Sequence, residues 1–79
     1  MTNVEIENKI KDIIASKLEV DKNILKLETD LGNDLAIASL DYVEVLIELE
    51  KTFNIYITDA EANKVKTVGD IIHLVSTKL

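Results

Sequence analysis

The chain has 79 residues, of which 47% are hydrophobic and 30% charged, and its net charge is −6. This length allows one small domain, and the hydrophobic content is too high for a disordered chain. The acidic balance argues against nucleic-acid binding, and the absence of Cys excludes disulfides and Cys-based metal sites. We therefore expect one folded domain over residues 1–79, and the scarcity of Gly and Pro favours helices over a turn-rich β fold.

The beginning of the sequence favours a cytoplasmic protein. Its first residues are polar and acidic, unlike a secretory signal peptide. No apolar run approaches the roughly 20 residues that a membrane-spanning helix needs, so we expect no membrane span.

A first helix is predicted over residues 3–18. Thr2 and Glu5 have the spacing of a capping box, in which a hydroxyl and a carboxylate satisfy the free amides at a helix start. Apolar residues then recur at helical intervals, at Ile6, Ile10, Ile13, Ile14 and Leu18.

A long ordered loop is predicted over residues 19–38. The apolar residues expected to hold it on the core are Val20, Ile24, Leu27, Leu31 and Leu35. Loops longer than about 12–15 residues in compact domains are usually functional or disordered, and these anchors favour function.

Residues 39–53 contain no helix breaker and predict a second helix. On such a helix Asp41, Glu44 and Glu48 lie within about 60° of each other and form a narrow acidic stripe. Most of the remaining circumference is apolar, so we expect this helix to pack on several neighbours at the centre of the domain.

Two shorter helices are predicted to follow. Thr58 or Asp59 can cap a third helix that ends near Val65, and Thr67 begins a fourth. The apolar stripe of the fourth helix is Val68, Ile71, Ile72, Val75 and Leu79. Residues 55–57 could form a strand but have no obvious partner strand. The predicted fold is all-α, a four-helix bundle with a long first loop and a short third helix.

Negative charge is concentrated in the middle of the chain. Residues 28–61 contain nine acidic residues and one basic residue, which gives −8 and leaves +2 for the remainder. The preference of acidic residues for the first turn of a helix accounts for Asp41 and Asp59 but not for Glu48 or Glu50. We therefore favour a docking surface for basic partners.

Sites for metal binding or self-contained catalysis are poorly supported. Residues 30–34 lack the alternating ligands and the closing Glu of a calcium loop. His73 has no partner at a useful spacing and is expected on the surface. There is no nucleophile elbow and no Gly-rich oxyanion loop, so we expect no catalytic residue and no metal.

Ser39 lies where the long loop enters the second helix. A Ser at a helix start is most often an N-cap that accepts a hydrogen bond from an amide two or three residues on. The same position suits an attached phosphate, because free amides and the helix dipole stabilise negative charge there.

The sequence around Ser39, with three later stretches, resembles the acyl carrier protein family. The matching stretches are Asp34-Leu35-x-x-x-Ser39-Leu40-Asp41-x-Val43-Glu44, Leu49-Glu50-x-x-Phe53, Ile57-x-Asp59 and Lys66-Thr67-Val68-Gly69-Asp70. Length, acidity, helix order and the long first loop extend the resemblance over essentially the whole chain. The resemblance implies that Ser39 is esterified by 4′-phosphopantetheine from coenzyme A. The thiol of that arm would carry acyl groups as thioesters in fatty-acid or related (polyketide or specialised lipid) biosynthesis.

The resemblance also implies partners and the residues that meet them. The expected partners are a phosphopantetheinyl transferase, acyltransferases and condensing enzymes. Basic patches on these enzymes would dock on the carrier, which is expected to be a monomer. The residues assigned to partner recognition are Asp34, Leu40, Asp41, Glu44 and Glu48.

An acyl chain would need shelter from water, and one set of apolar residues could provide a pocket. These residues are Leu46, Leu49, Phe53, Ile57, Ala62 and Val65. The alternative is that they form ordinary core. The short third helix makes few contacts, so we expect it to move most readily when a chain enters.

The chain departs from the family pattern close to Ser39. Ala36 stands where the family usually has Gly, Ala38 where it has Asp, and Thr58 where Pro is frequent. Two alternatives to the acyl carrier therefore remain open at this point. One is a carrier of aminoacyl or unusual acyl groups, and the other is an unmodified acidic adaptor in which Ser39 only caps the helix.

Overall fold

The computed structural model describes residues 2–79 and contains four α-helices joined by short connections and one long loop. The helices are α1 (Asn3–Leu18), α2 (Ser39–Phe53), α3 (Asp59–Lys64) and α4 (Val68–Lys78), and the long loop contains one 3₁₀ turn at Lys22–Ile24. The predicted all-α bundle with a short third helix is confirmed. Residues 55–57 are an irregular connection, and within residues 2–79 the only β feature is an isolated bridge between Asp30 and Thr67.

Three of the four helices begin with a complete capping box. The hydroxyl of the N-cap Thr accepts a hydrogen bond from the amide three residues on, and the acidic side chain there accepts one from the Thr amide. The pairs are Thr2 with Glu5, Thr58 with Glu61, and Thr67 with Asp70. Helix α2 is the exception, since its N-cap is Ala38 and no side chain caps it.

The core is formed by α1, α2, α4, two Leu residues of the long loop and one Ile of the connection between α2 and α3. Its buried residues are Ile6, Ile10, Ile14, Leu25, Leu31, Val45, Leu49, Phe53, Ile57, Val68, Ile71 and Val75. Helix α1 packs against both α2 and α4. The expectation that the second helix occupies the centre is therefore wrong, because α1 has that position and α2 leaves part of its apolar surface in solvent.

Sequence reasoning identified some loop anchors correctly and others incorrectly. Leu31 is buried, and Val20 and Leu35 are partly buried against the core. Ile24 and Leu27 are each 51% exposed, so they are not anchors. Leu25, next to Ile24 at the end of the 3₁₀ turn, points inward instead.

The long loop is hydrogen-bonded to the start of α4. The amide of Leu31 donates to the Lys66 carbonyl at 2.9 Å, and that of Gly69 donates to the Leu27 carbonyl at 2.8 Å. Leu27 therefore contributes its backbone to the fold while its side chain stays half exposed. A Cβ at Gly69 would lie 2.9 Å from the Leu27 oxygen, so this close approach requires Gly.

The prediction for the end of the fourth helix is wrong at one residue. Leu79, predicted on the apolar stripe of that helix, is 57% exposed because it follows the last helical residue.

None of the helices within residues 2–79 has both the length and the apolar character that a membrane span requires.

Candidate functional site

Ser39 is the first residue of α2, and its side chain is exposed. The N-cap is Ala38, with φ −74° and ψ 151°, so Ser39 lies one residue beyond the capping position. Its hydroxyl has no hydrogen-bond partner recorded among residues 2–79. The interpretation of Ser39 as an N-cap is therefore wrong, and its hydroxyl is free to react.

The first turn of α2 presents free backbone amides around Ser39. The first helical hydrogen bond runs from the Tyr42 amide to the Ala38 carbonyl at 3.0 Å. The amides of Ser39, Leu40 and Asp41 precede that bond, and neither a side-chain cap nor another described residue accepts from them. The positive end of the helix dipole is thus available to an anion on Ser39.

The segment that leads into Ser39 is tightly folded. The amides of Gly32 and Asn33 donate to Asp30 Oδ1 at 2.9 and 2.7 Å, and the Asp30 amide donates to Asp34 Oδ2 at 2.8 Å. Asp34, predicted to meet partners, is therefore also a structural residue of the loop, although it remains exposed.

Ala36 has a left-handed backbone conformation, with φ 51°. A residue with a Cβ is disfavoured there by about 1–2 kcal/mol, and Gly adopts this conformation readily. The sequence departure at Ala36 is thus a position of backbone strain three residues before Ser39.

The acidic stripe of α2 is available to solvent. Asp41, Glu44 and Glu48 are exposed or half exposed, and no hydrogen bond or ion pair is recorded for their carboxylates within residues 2–79. Other acidic residues of the middle segment have internal roles. Glu50 accepts a hydrogen bond from the Ile57 amide at 2.8 Å, and Glu61 pairs with Lys78 at 3.0 Å.

An exposed apolar stripe lies beside the acidic one. Leu40, Val43 and Ile47 are 70%, 48% and 45% exposed. They have the same spacing as the acidic stripe displaced by one residue, so the two stripes lie about 100° apart on the helix. Sequence reasoning included Leu40 but missed Val43 and Ile47, although this repeated spacing could have identified them.

The six residues predicted to line an acyl pocket lie in two different environments. Three belong to the buried core, namely Leu49, Phe53 and Ile57. The others line two open grooves beside α3, namely Leu46, Ala62 and Val65.

The two grooves meet at Tyr42. The helix-side groove lies between α2 and α3, has a volume of about 300 Å³, and is lined by Tyr42, Val43, Leu46, Asp59, Ala62 and Asn63. The loop-side groove lies where the long loop approaches the end of α3. Its volume is about 360 Å³, and its lining includes Asp30, Asn33, Ile37, Tyr42, Val65 and Lys66.

Tyr42 connects α2 to α3. Its hydroxyl donates a hydrogen bond to the Ala62 carbonyl at 2.8 Å. Burial raises the pKa of Tyr42, and the negative charge of Asp70 raises it further, so the hydroxyl stays protonated as a donor. Sequence reasoning missed this contact because nothing in the local pattern shows which residue the hydroxyl reaches.

The structure offers no metal centre in the part of the chain that it describes. Within residues 2–79 no three His, Cys, Asp or Glu side chains are grouped to hold an ion. His73 is exposed on α4, as expected.

Comparisons with known proteins give matches over most of the chain. Residues 8–75 match the family described as "Phosphopantetheine attachment site". The chain is 46% identical over 77 residues to an acyl carrier protein of Lactobacillus acidophilus, covering 98% of this chain and 96% of that protein. It is 42% identical over 78 residues to an acyl carrier protein of Chlorobium phaeovibrioides, covering 99% and 100%.

A solved structure with the same fold extends this similarity. A Mycobacterium tuberculosis protein assigned as an acyl carrier protein superposes with a TM-score of 0.87 at 32% identity, covering 91% of this chain and 96% of that one.

Proposed function

The chain belongs to the acyl carrier protein family, and we propose that Ser39 is the residue that bears its 4′-phosphopantetheine group. Such proteins are non-catalytic carriers, and the attached group supplies the thiol that holds an acyl group as a thioester. The single observation that carries the assignment is the exposed and unbonded Ser39 hydroxyl at the start of α2.

The residues around Ser39 fit the group. A phosphate on the Ser39 oxygen would lie beside the free first-turn amides, where the helix dipole favours negative charge. Ala38 supplies no side chain that competes for those amides. The chain also contains no Cys, so no protein thiol competes with the thiol of the arm for the acyl group.

The surface of α2 supports a docking role toward basic partners. The proposed recognition residues are Asp34, Leu40, Asp41, Glu44 and Glu48, to which the structure adds the exposed Val43 and Ile47. The carboxylates of Asp41, Glu44 and Glu48 can steer a basic enzyme surface toward α2. The adjacent apolar stripe can then pack against that enzyme surface. A phosphopantetheinyl transferase, acyltransferases and condensing enzymes are the partners we propose.

The acyl chain has a proposed shelter in the helix-side groove. Leu46 of α2 and Ala62 of α3 provide apolar surface there. Leu49, Phe53 and Ile57 are buried in the core, so they would support a bound chain rather than contact it first.

Family membership argues against the unmodified adaptor, since members bear a phosphopantetheine group. For the pathway we propose fatty-acid or related (polyketide or specialised lipid) biosynthesis, with aminoacyl or unusual acyl cargo as the other outcome of a loading assay. The cytoplasmic location and the monomeric state remain predictions from the sequence.

The proposal is tested by the intact mass of the purified protein before and after incubation with coenzyme A and a broad-specificity phosphopantetheinyl transferase. We expect one added phosphopantetheine on the native chain and on Ser16→Ala, since Ser16 is an exposed helical Ser on α1. We expect none on Ser39→Ala, which should keep the fold because Ser39 makes no capping bond. A mass gain that persists in Ser39→Ala would exclude the assignment.

A further inference from the structure

Among residues 2–79, Tyr42 alone lines both the helix-side groove and the loop-side groove. It lies three residues after Ser39, so the two side chains are neighbours on one face of α2. A flexible group attached to Ser39 and extending along α2 therefore reaches Tyr42 within one helical turn.

Helix α3 is attached to the rest of the fold by few contacts. It buries none of its residues. Two polar side-chain contacts join it to other helices in the described chain, the Tyr42 hydroxyl to the Ala62 carbonyl and Lys78 to Glu61, and Ala62 packs partly buried against the core. The first of these holds α3 against α2 at the boundary between the two grooves.

We propose that Tyr42 is a partition that limits how far an aliphatic chain carried on Ser39 extends between α2 and α3. While the Tyr42 hydroxyl donates its hydrogen bond to the Ala62 carbonyl, the Tyr42 ring confines the chain to the helix-side groove. Release of that bond, or loss of the ring, joins the two grooves into one cavity that admits a longer chain. This inference rests on the proposed carrier function and assigns a specificity-determining residue to it.

The sizes and linings of the two grooves support entry of the chain into the helix-side groove first. Each groove is at the lower end of the roughly 300–1,000 Å³ range of small-molecule pockets, and the joined cavity would fall well within it. Val43, Leu46 and Ala62 give the helix-side groove an apolar lining. The lining of the loop-side groove contains two charged side chains, Asp30 and Lys66, whereas that of the helix-side groove contains one, Asp59, so an aliphatic chain prefers the helix side first.

The hydrogen bond can be tested without any cargo. In the unmodified protein, Tyr42→Phe removes the hydroxyl and keeps the ring. We expect amide hydrogen exchange at Ala62 and Val65 to become roughly 2- to 10-fold faster, as for the loss of one hydrogen bond, with no change in α1. Tyr56→Phe is the matched control, because Tyr56 is 72% exposed and should leave exchange unchanged. Unchanged exchange at Ala62 and Val65 in Tyr42→Phe would overturn the role of the hydroxyl.

The partition itself is tested with chains of defined length. Because the chain has no Cys, Ser39→Cys provides one thiol, which can be linked by a disulfide to butyl, octyl or dodecyl chains from alkyl methanethiosulfonates, with methanesulfinate released. With Tyr42 present, we expect octyl to shift the amide resonances of Leu46 and Asn63 but not those of Asn33 and Lys66. With Tyr42→Val added, the Asn33 and Lys66 resonances should shift as well, and Tyr56→Val should not have this effect.

Equal shifts at Asn33 and Lys66 with and without Tyr42 would overturn the partition. The same measurement on the protein loaded with octanoyl-phosphopantetheine should give the same pattern. If the transferase leaves Ser39 unmodified, the proposed function fails, whereas the chains linked through Ser39→Cys still decide whether Tyr42 separates the grooves.

Discussion

Two Ala residues just before Ser39 have unfavourable local structure. Ala36 has φ 51°, and Ala38 occupies the N-cap of α2 without a side-chain hydrogen bond. Both features make the local structure less stable. The entry to the proposed modification site is therefore a place where small substitutions should change stability without touching Ser39.

Replacing Ala36 with Gly should stabilise the fold. Relief of a strain of about 1–2 kcal/mol outweighs the extra entropy that Gly gains in the unfolded chain, about 0.5–1 kcal/mol. We expect the free energy of unfolding in urea to rise by about 0.5–1 kcal/mol. Ala60→Gly, at an exposed helical position of α3, is the control and should lower it. A loss of stability in Ala36→Gly as large as that in the control would contradict the strain.

Gly69 illustrates the opposite case, a residue whose lack of a side chain the fold requires. In Gly69→Ala the new Cβ would lie 2.9 Å from the Leu27 carbonyl oxygen and push apart the hydrogen bond between Gly69 and Leu27. We expect unfolding measurements to show a loss of about 1–3 kcal/mol, since overpacking outweighs the better helix propensity of Ala.

The other glycine provides a matched control for this prediction. A Cβ at Gly32 would lie 3.5 Å from Asp30 Oδ1, an ordinary contact, and Gly32 has no positive φ. Gly32→Ala should therefore change stability by less than Gly69→Ala. Equal effects of the two substitutions would show that the approach of the loop to α4 does not constrain residue 69.

Among the elements, α3 depends most on polar contacts, because it buries none of its own residues. Its capping box, the ion pair of Glu61 with Lys78 and the hydrogen bond from Tyr42 hold it in place. An element attached in this way can move while α1, α2 and α4 keep the core intact, which suits a groove that opens for cargo.

The capping boxes make the stability of these helices sensitive to acid. Hydrogen bonds from the Thr58 amide and from Lys78 lower the pKa of Glu61, and hydrogen bonds from the Lys66 and Thr67 amides lower the pKa of Asp70. A carboxyl whose pKa is lower in the folded state stabilises the fold above its unfolded pKa. That stabilisation is lost as the pH falls through the folded pKa.

We therefore expect the unfolding free energy to decrease as the pH falls below about 4.5, near the ordinary carboxyl pKa. Glu61→Gln keeps a side chain that can complete the capping box but removes the titrating group, so it should flatten this decrease. The variant should differ from the native chain near neutral pH and converge with it in strong acid. An equally steep decrease in Glu61→Gln would contradict the role of Glu61.

Helix α2 combines the proposed attachment residue, the acidic stripe and the apolar stripe on one element. Ser39 begins it, and both stripes continue from its first turn. On the proposed function, a partner docked on α2 would be placed beside the group that Ser39 carries, which would couple recognition to delivery.

At the scale of the whole molecule, the helices were predictable because their signals are local. The box of Thr2 and Glu5 and the periodicity after it placed α1 correctly, and the run from Ser39 to Phe53 placed α2. The role of Ser39 as the attachment residue stays a prediction from the sequence, and the exposure of its side chain is consistent with that role.

What could not be predicted depends on contacts between distant segments. The choice of Leu25 over Ile24 as an anchor, the central position of α1 and the bond from Tyr42 to Ala62 follow from packing and not from local pattern. Likewise, the division of the predicted pocket between core and grooves appears only when α3 is placed beside α2.

The most direct test of Ser39 as the attachment residue is to locate the modification within the chain. Proteolysis of the transferase-treated protein, followed by fragmentation of its peptides in the mass spectrometer, assigns the added phosphopantetheine to a single residue. We predict that it is found on Ser39 and is absent from Ser16 and Ser76. Its attachment to any other hydroxyl, with Ser39 unmodified on a folded chain, would contradict the assignment.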